Sequence, residues 1–172
     1  FDTVMHHFVI SHFEAGENSA NIKIQSRTAK NDNLPCLNAR IPITFMDADF
    51  NTCKRQIIDN GTENTHSFSL PFTPIAAFLD FDEEFFDLTT DSYKKIIENG
   101  VHKFENSYVN VVAADCQDTV LVRATLHWVG EKENKQQHGI NRFSKKHYWT
   151  IEGVNLEKAN LNAKFYYQLS SL

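Results

Sequence analysis

The segment Val120-Leu-Val-Arg-Ala-Thr-Leu-His-Trp-Val129 decides how the chain must be read. Val120, Val122, Ala124, Leu126 and Trp128 alternate with Arg123, Thr125 and His127, a period of two that sorts apolar and polar side chains onto opposite sides of an extended backbone. The pattern predicts a long strand in a sheet with one buried face, with Trp128 in the core beside its neighbours.

The same alternation recurs outward from this segment, in shorter form, at Ile22 and Ile24, at Ile41, Ile43 and Phe45, at Ile75, Ala77, Leu79 and Phe81, at Val109 and Val111, and at Phe165 and Tyr167. Val4 to Phe13 is apolar on both sides and reads as a covered strand. Asn60-Gly61 between Ile57-Ile58 and Phe68-Leu70 is a hairpin signal, since primed turns need positive φ. Gly16 to Ser19 and Asn31 to Leu34 read as loops. Pro42 removes a ladder donor, which predicts an edge strand or a bulge at that point. One helix is expected: Thr90 caps it, Tyr93, Ile96 and Ile97 line one face, and Asn99-Gly100 stops it. The expected class is therefore all-β, an Ig-like β-sandwich built as two small units, 1–86 and 101–172, joined by a short helix over 87–100.

Composition bounds the function. With 172 residues, 41% hydrophobic and 23% charged, the chain suits one fair-sized domain or two small ones and is not a disordered polyelectrolyte. A net charge of −5 gives no general basic field for nucleic acid or anionic lipid. No stretch approaches the roughly 20 apolar residues of a membrane helix. The chain starts Phe1-Asp2-Thr3, without initiator Met or signal sequence, and reads as a piece of a longer protein. Cys36, Cys53 and Cys116 are expected as buried free thiols, with Cys36 to Cys53 the one pairing to consider.

Candidate chemistry is sparse. None of the eight histidines precedes a Glu, so HExxH is absent. His6 and His7 point to opposite sides of a strand, and His6 and His12 stand about 20 Å apart along it, so with His12 they make no common metal site. Asp47-Ala-Asp-Phe-Asn51 begins like a calcium loop but has Thr52 and Ile58 where Gly and Glu are needed. Asp80, Asp82, Glu83, Glu84 and Asp87 read as a solvated turn, with an ion site or a glycosidase pair as the sharper alternatives. There is no GxSxG, P-loop or GxGxxG, and Cys36 after Pro35 has no nucleophile signature. Trp128, Tyr148 and Trp149 are weighed as a carbohydrate platform, against core packing for Trp128. Asn60-Gly61-Thr62 is a glycosylation sequon. The polar run from Gly130 to Lys146 reads as a solvated loop. No catalytic, cofactor-binding or metal residue is assigned.

The order of segments carries a resemblance. Ala20-Asn-Ile-Lys-Ile-Gln-Ser26, Ala39-Arg-Ile-Pro-Ile-Thr-Phe45 and Phe68-Ser-Leu-Pro71 resemble the β-sandwich that follows the catalytic domain in zinc aminopeptidases of the M1 family. Asp118-Thr-Val-Leu-Val-Arg-Ala-Thr-Leu-His-Trp-Val129, Gly139-Ile-Asn-Arg-Phe-Ser144 and His147-Tyr-Trp-Thr-Ile-Glu-Gly153 resemble segments of M1-like metallopeptidases of Bacteroidetes-type bacteria. Leu126 stands where such proteins often carry a second His, and Gly130-Glu131 where Ala-Pro is common. The resemblance implies an upstream catalytic domain of the same polypeptide in which HExxH and a later Glu bind zinc. It also implies a periplasmic, cell-surface or secreted location, and a bracing role for this non-catalytic part. The competing reading is an Ig-like surface module that binds carbohydrate or protein.

Overall fold

A computed structural model describes residues 5–29, 34–85, 87–130 and 146–167. The chain is all-β and sandwich-like, and it divides into two compact units, Phe1–Leu88 and Thr89–Leu172. Among the described residues, no helix is long and apolar enough to cross a membrane.

In the first unit β1 (His6–Gly16), β2 (Ser19–Thr28) and β5 (Glu63–Ser69) form one antiparallel sheet in the order β1-β2-β5. The second sheet is β4 (Thr52–Gly61), β3 (Cys36–Met46) and β6 (Ala76–Leu79), in the order β4-β3-β6. Alternation fixes which side chains meet between the sheets. Ile22 and Ile24 come from one, Ile41, Ile43 and Phe45 from the other, and all five are buried in a common core with Phe8 and Leu70. Removing each such side chain from water contributes roughly 1.5–3 kcal/mol. Turn residues close the hairpins: Asn18, at φ 50°, turns β1 into β2, and Phe50, at φ 64°, lies in the turn from β3 to β4.

The second unit repeats the design with β7 (Thr89–Ile96), β8 (Gly100–Phe104), β9 (Val109–Ala114), β10 (Val120–His127), β11 (Tyr148–Val154) and β12 (Asn160–Phe165). Its sheets run β11-β10-β7 and β12-β9-β8. Val120, Val122 and Ala124 of β10 pack with Ile96, Phe104, Val109 and Val111.

Several expectations are corrected. The helix over 87–100 is instead strand β7, paired with β10 from Ile96 opposite Val120 to Thr89 opposite His127. Three apolar residues at helical spacing do not fix a period, and the ladder donors of β10 supply a stronger partner. Of the supposed stripe only Ile96 is buried, while Ile97 is 71% exposed. Asn99-Gly100 leads into β8, with Gly100 at φ 145° and the Asn99 side chain accepting the Cys116 amide. The unit boundary accordingly falls between Leu88 and Thr89, with no linker between 87 and 100.

Asn60-Gly61 does turn, with Gly61 at φ 100°, but it carries the chain from one sheet to the other and closes no hairpin. Pro42 sits on a central strand. It escapes the ladder on one side because β6 pairs only with Ile43 to Met46, and the bulge of β3 lies between Cys36 and Ala39. In β6 the buried face is Ala76 and Phe78, whereas Ile75 is exposed. β1 is covered only around His7 and Phe8, since Ser11 and His12 are exposed. β10 is buried on both faces, because Leu121, Arg123, Thr125 and His127 are buried as fully as the core side.

Gly153 shows how tightly β10 and β11 approach. A Cβ there would lie 1.9 Å from the Leu121 carbonyl oxygen, which is held in the sheet and has nowhere to go. Gly153→Ala is therefore expected to lower stability by about 3 kcal/mol, read by urea unfolding of the chain; a change near zero would mean the two strands are less closely apposed.

Candidate functional site: an aromatic groove on the second unit

β10 ends at His127, so the alternation that would have sent Trp128 into the core stops one residue too early. Trp128 is 48% exposed, and its indole N–H donates to Thr90 Oγ1 at 2.8 Å. Across the β10–β11 hairpin Trp149 is half-buried and donates its indole N–H to the Ser107 carbonyl at 2.8 Å. Ser107 is buried and gives its own hydroxyl to the Ala124 carbonyl, which ties the short 3-10 turn Glu105–Ser107 to β10. Tyr108 follows that turn in the left-handed region, at φ 54°. This conformation projects a large side chain from the sheet surface, and the Tyr108 carbonyl accepts the Tyr166 amide.

Together these residues wall a groove of about 500 Å³, with Leu126, His147 and Tyr167 completing it. His147 stands edge-on to Trp149, with ring centroids 4.9 Å apart. Phe165 and Tyr167 lie 5.4 and 6.3 Å from the same indole. The Tyr166 hydroxyl accepts from Asn110 Nδ2 at 3.0 Å.

Of the three aromatics weighed from the sequence as a platform, Trp128 and Trp149 are brought together here. Tyr148 is not: it points to the other face of β11 and stacks on His127 at 4.2 Å and 7°. Tyr108, Tyr166 and His147 were not singled out by the sequence reading. Their meeting depends on sheet pairing between segments far apart in the chain, and only the positive φ of Tyr108 marks one of them as unusual.

The other face of β10 holds a buried ion pair. Arg123 contacts Asp91 on β7 through Nη2, and its Nη1 reaches Glu152 Oε1 on β11 at 3.4 Å. Crowding by surrounding atoms raises the Glu152 carboxyl above its usual value, with the Arg123 guanidinium pulling the other way, although part of the Glu152 side chain remains open to solvent.

The remaining candidates resolve into structural parts. His6 is held below the usual imidazole value by burial, and His7 lies near Arg27, while His12 is exposed. Among the described residues no group of three metal-ligating side chains converges. Slight burial pushes the Asp47 carboxyl up, but it is outweighed by hydrogen bonds from Asn51 and Asp49, which hold it below the ordinary range; those donors make it the organiser of the β3–β4 turn. Asp80 accepts the amides of Glu84 and Phe85, and Asp82 pairs with Lys54, so this run is a turn fastened by its own backbone.

Cys36, Asp59 and His66 do come together, with Cys36 Sγ 3.3 Å from Asp59 Oδ2 and His66 Nε2 3.2 Å from Asp59 Oδ1. The carboxylate sits between thiol and imidazole, so the histidine does not reach the sulfur as a base. Burial and the neighbouring Asp59 also push the thiol up, against the hydrogen bond from Ser26. The thiol donates to a buried carboxylate, which is the bonding of a structural cysteine. Cys36 and Cys53 lie at opposite ends of the β3–β4 ladder, which excludes a bridge between them. Asn60 of the sequon is exposed and accepts the Asn38 amide. The polar run after Gly130 lies outside the described residues up to Lys146.

Compared with known proteins, the chain matches no family model, no curated protein and no solved structure. Its class rests on the fold itself: two all-β units, the second carrying an open aromatic groove.

The two tryptophans should part company on truncation. Trp149→Ala removes a ring packed against the core and is expected to cost about 3–5 kcal/mol, whereas the half-exposed Trp128→Ala should cost about 1 kcal/mol. Equilibrium unfolding of both variants checks this, and equal losses would place Trp128 in the core after all.

Proposed function

We propose that residues 1–172 are the non-catalytic β region of an M1-like zinc metallopeptidase, where they brace the catalytic domain or order access to it. The observation that carries this reading is where the recognisable segments fall. The first group lies on β2, β3 and the end of β5, and most of the second lies on the single hairpin of β10 and β11. Apart from the half-exposed Trp128, the polar and aromatic residues quoted there pack within the unit: Arg123 holds Asp91, His127 stacks on Tyr148, Trp149 anchors to Ser107, and Gly153 permits the close approach to Leu121. A motif made of packing residues supports a scaffold, and chemistry grafted elsewhere on the polypeptide. Zinc on this reading belongs to the upstream domain, and the parent works in the periplasm, at the cell surface or outside the cell.

The coding sequence upstream of Phe1 tests the proposal directly. It should encode HExxH with a downstream Glu within a few hundred residues, and the longer polypeptide should hydrolyse an aminoacyl-anilide in a chelator-sensitive way. Residues 1–172 alone should give no turnover. An upstream sequence without that motif, or chelator-sensitive hydrolysis by residues 1–172 alone, overturns the assignment.

A further inference from the structure

We infer that the groove between Trp128, Trp149, Tyr108 and Tyr166 is a binding site for a neutral oligosaccharide. The inference goes beyond the bracing role and stands whether or not the parent is a peptidase.

Three of the rings are anchored through polar atoms, and Trp128 and the tyrosines stay exposed while Trp149 packs beneath them. Trp128 is anchored to Thr90, Trp149 to Ser107, and Tyr166 to Asn110, while Tyr108, Tyr166 and Tyr167 remain 54%, 55% and 52% exposed. Exposed aromatic faces anchored in this way lose little freedom on binding, which is the condition for a ligand to gain from stacking. The volume of about 500 Å³ lies in the range of small-molecule sites.

Charge and donor inventory select the ligand class. Among the described residues no Lys, Arg, Asp or Glu lines the groove, and none of those that do complements a phosphate, a uronic acid or an ammonium group. A proline-rich peptide would need indole N–H donors for its carbonyls, and both indoles already donate within the protein. A pyranose needs neither charge nor those donors. Its C–H face lies against the electron-rich ring face, and its hydroxyls meet the phenol edges at the rim.

Titration of the full chain with cellohexaose, xylohexaose, mannohexaose and chitohexaose, followed by tryptophan fluorescence, tests this. At least one should bind saturably. Trp128→Ala and Tyr166→Ala should each weaken that binding about tenfold while the chain stays folded at the titration temperature, whereas Tyr93→Ala, at an exposed ring elsewhere on the same unit, should leave it intact. Trp128→Phe should retain part of the affinity, separating ring stacking from any effect on folding. Silence across the four sugars, binding that survives both groove variants, or preferential binding of polygalacturonate or of a proline-rich peptide overturns the inference.

Discussion

The second unit depends on one strand being buried on both sides. β10 gives Val120, Val122 and Ala124 to the sandwich core, and on its other face it places Arg123 out of solvent beside Asp91. A buried guanidinium without an anion is prohibitively costly, so β7 must sit in the register that puts Asp91 next to it. A slip of one residue would turn Asp91 to the other face of the sheet. The ion pair therefore acts as a register lock between β7 and β10, and Glu152 adds a weaker hold from β11.

The groove follows from that registration. With β10 fixed between its neighbours, Thr90 falls where it can take the Trp128 indole, and Ser107 is held by the Ala124 carbonyl where it can take that of Trp149. The aromatic surface is thus assembled by the ladder, not by loops of independent conformation. The first unit uses a related device at a different place. Its buried Asp59 is surrounded by Cys36, Asn64 and His66 where β4 gives way to β5. A carboxylate satisfied by three side chains fastens the crossing between sheets.

Much of the strand content was legible because alternation is local: Ile22 and Ile24, Ile41 to Phe45, and Val109 and Val111 point where their period says. Pairing was not legible, because it depends on partners distant in sequence. Asn60-Gly61 has hairpin chemistry yet joins two sheets, and Thr89 to Ile96 is polar enough to pass for a short helix until β10 claims it as a ladder partner. Polar residues misled most on β10. Arg123, Thr125 and His127 mark an exposed face by pattern, but Arg123 is buried because a carboxylate from another strand meets it. Trp128 was misplaced for the opposite reason, since the strand ends just before it. Half of the groove was visible as Trp128 and Trp149, while Tyr108 and Tyr166 joined them only through the fold.

The proposed scaffold role and the proposed sugar-binding groove are compatible, since the Asp91–Arg123 pair lies on the face of β10 opposite Leu126, which lines the groove. What both require is that the register of β7 on β10 be set by the Asp91–Arg123 pair. A double-mutant series in urea measures this most directly. Asp91→Ala alone should cost about 3–5 kcal/mol by stranding the guanidinium, and replacing the pair together by Asp91→Leu and Arg123→Met should recover most of that loss. A loss below about 1 kcal/mol for Asp91→Ala would show that the pair does not hold the strand, and would contradict the account.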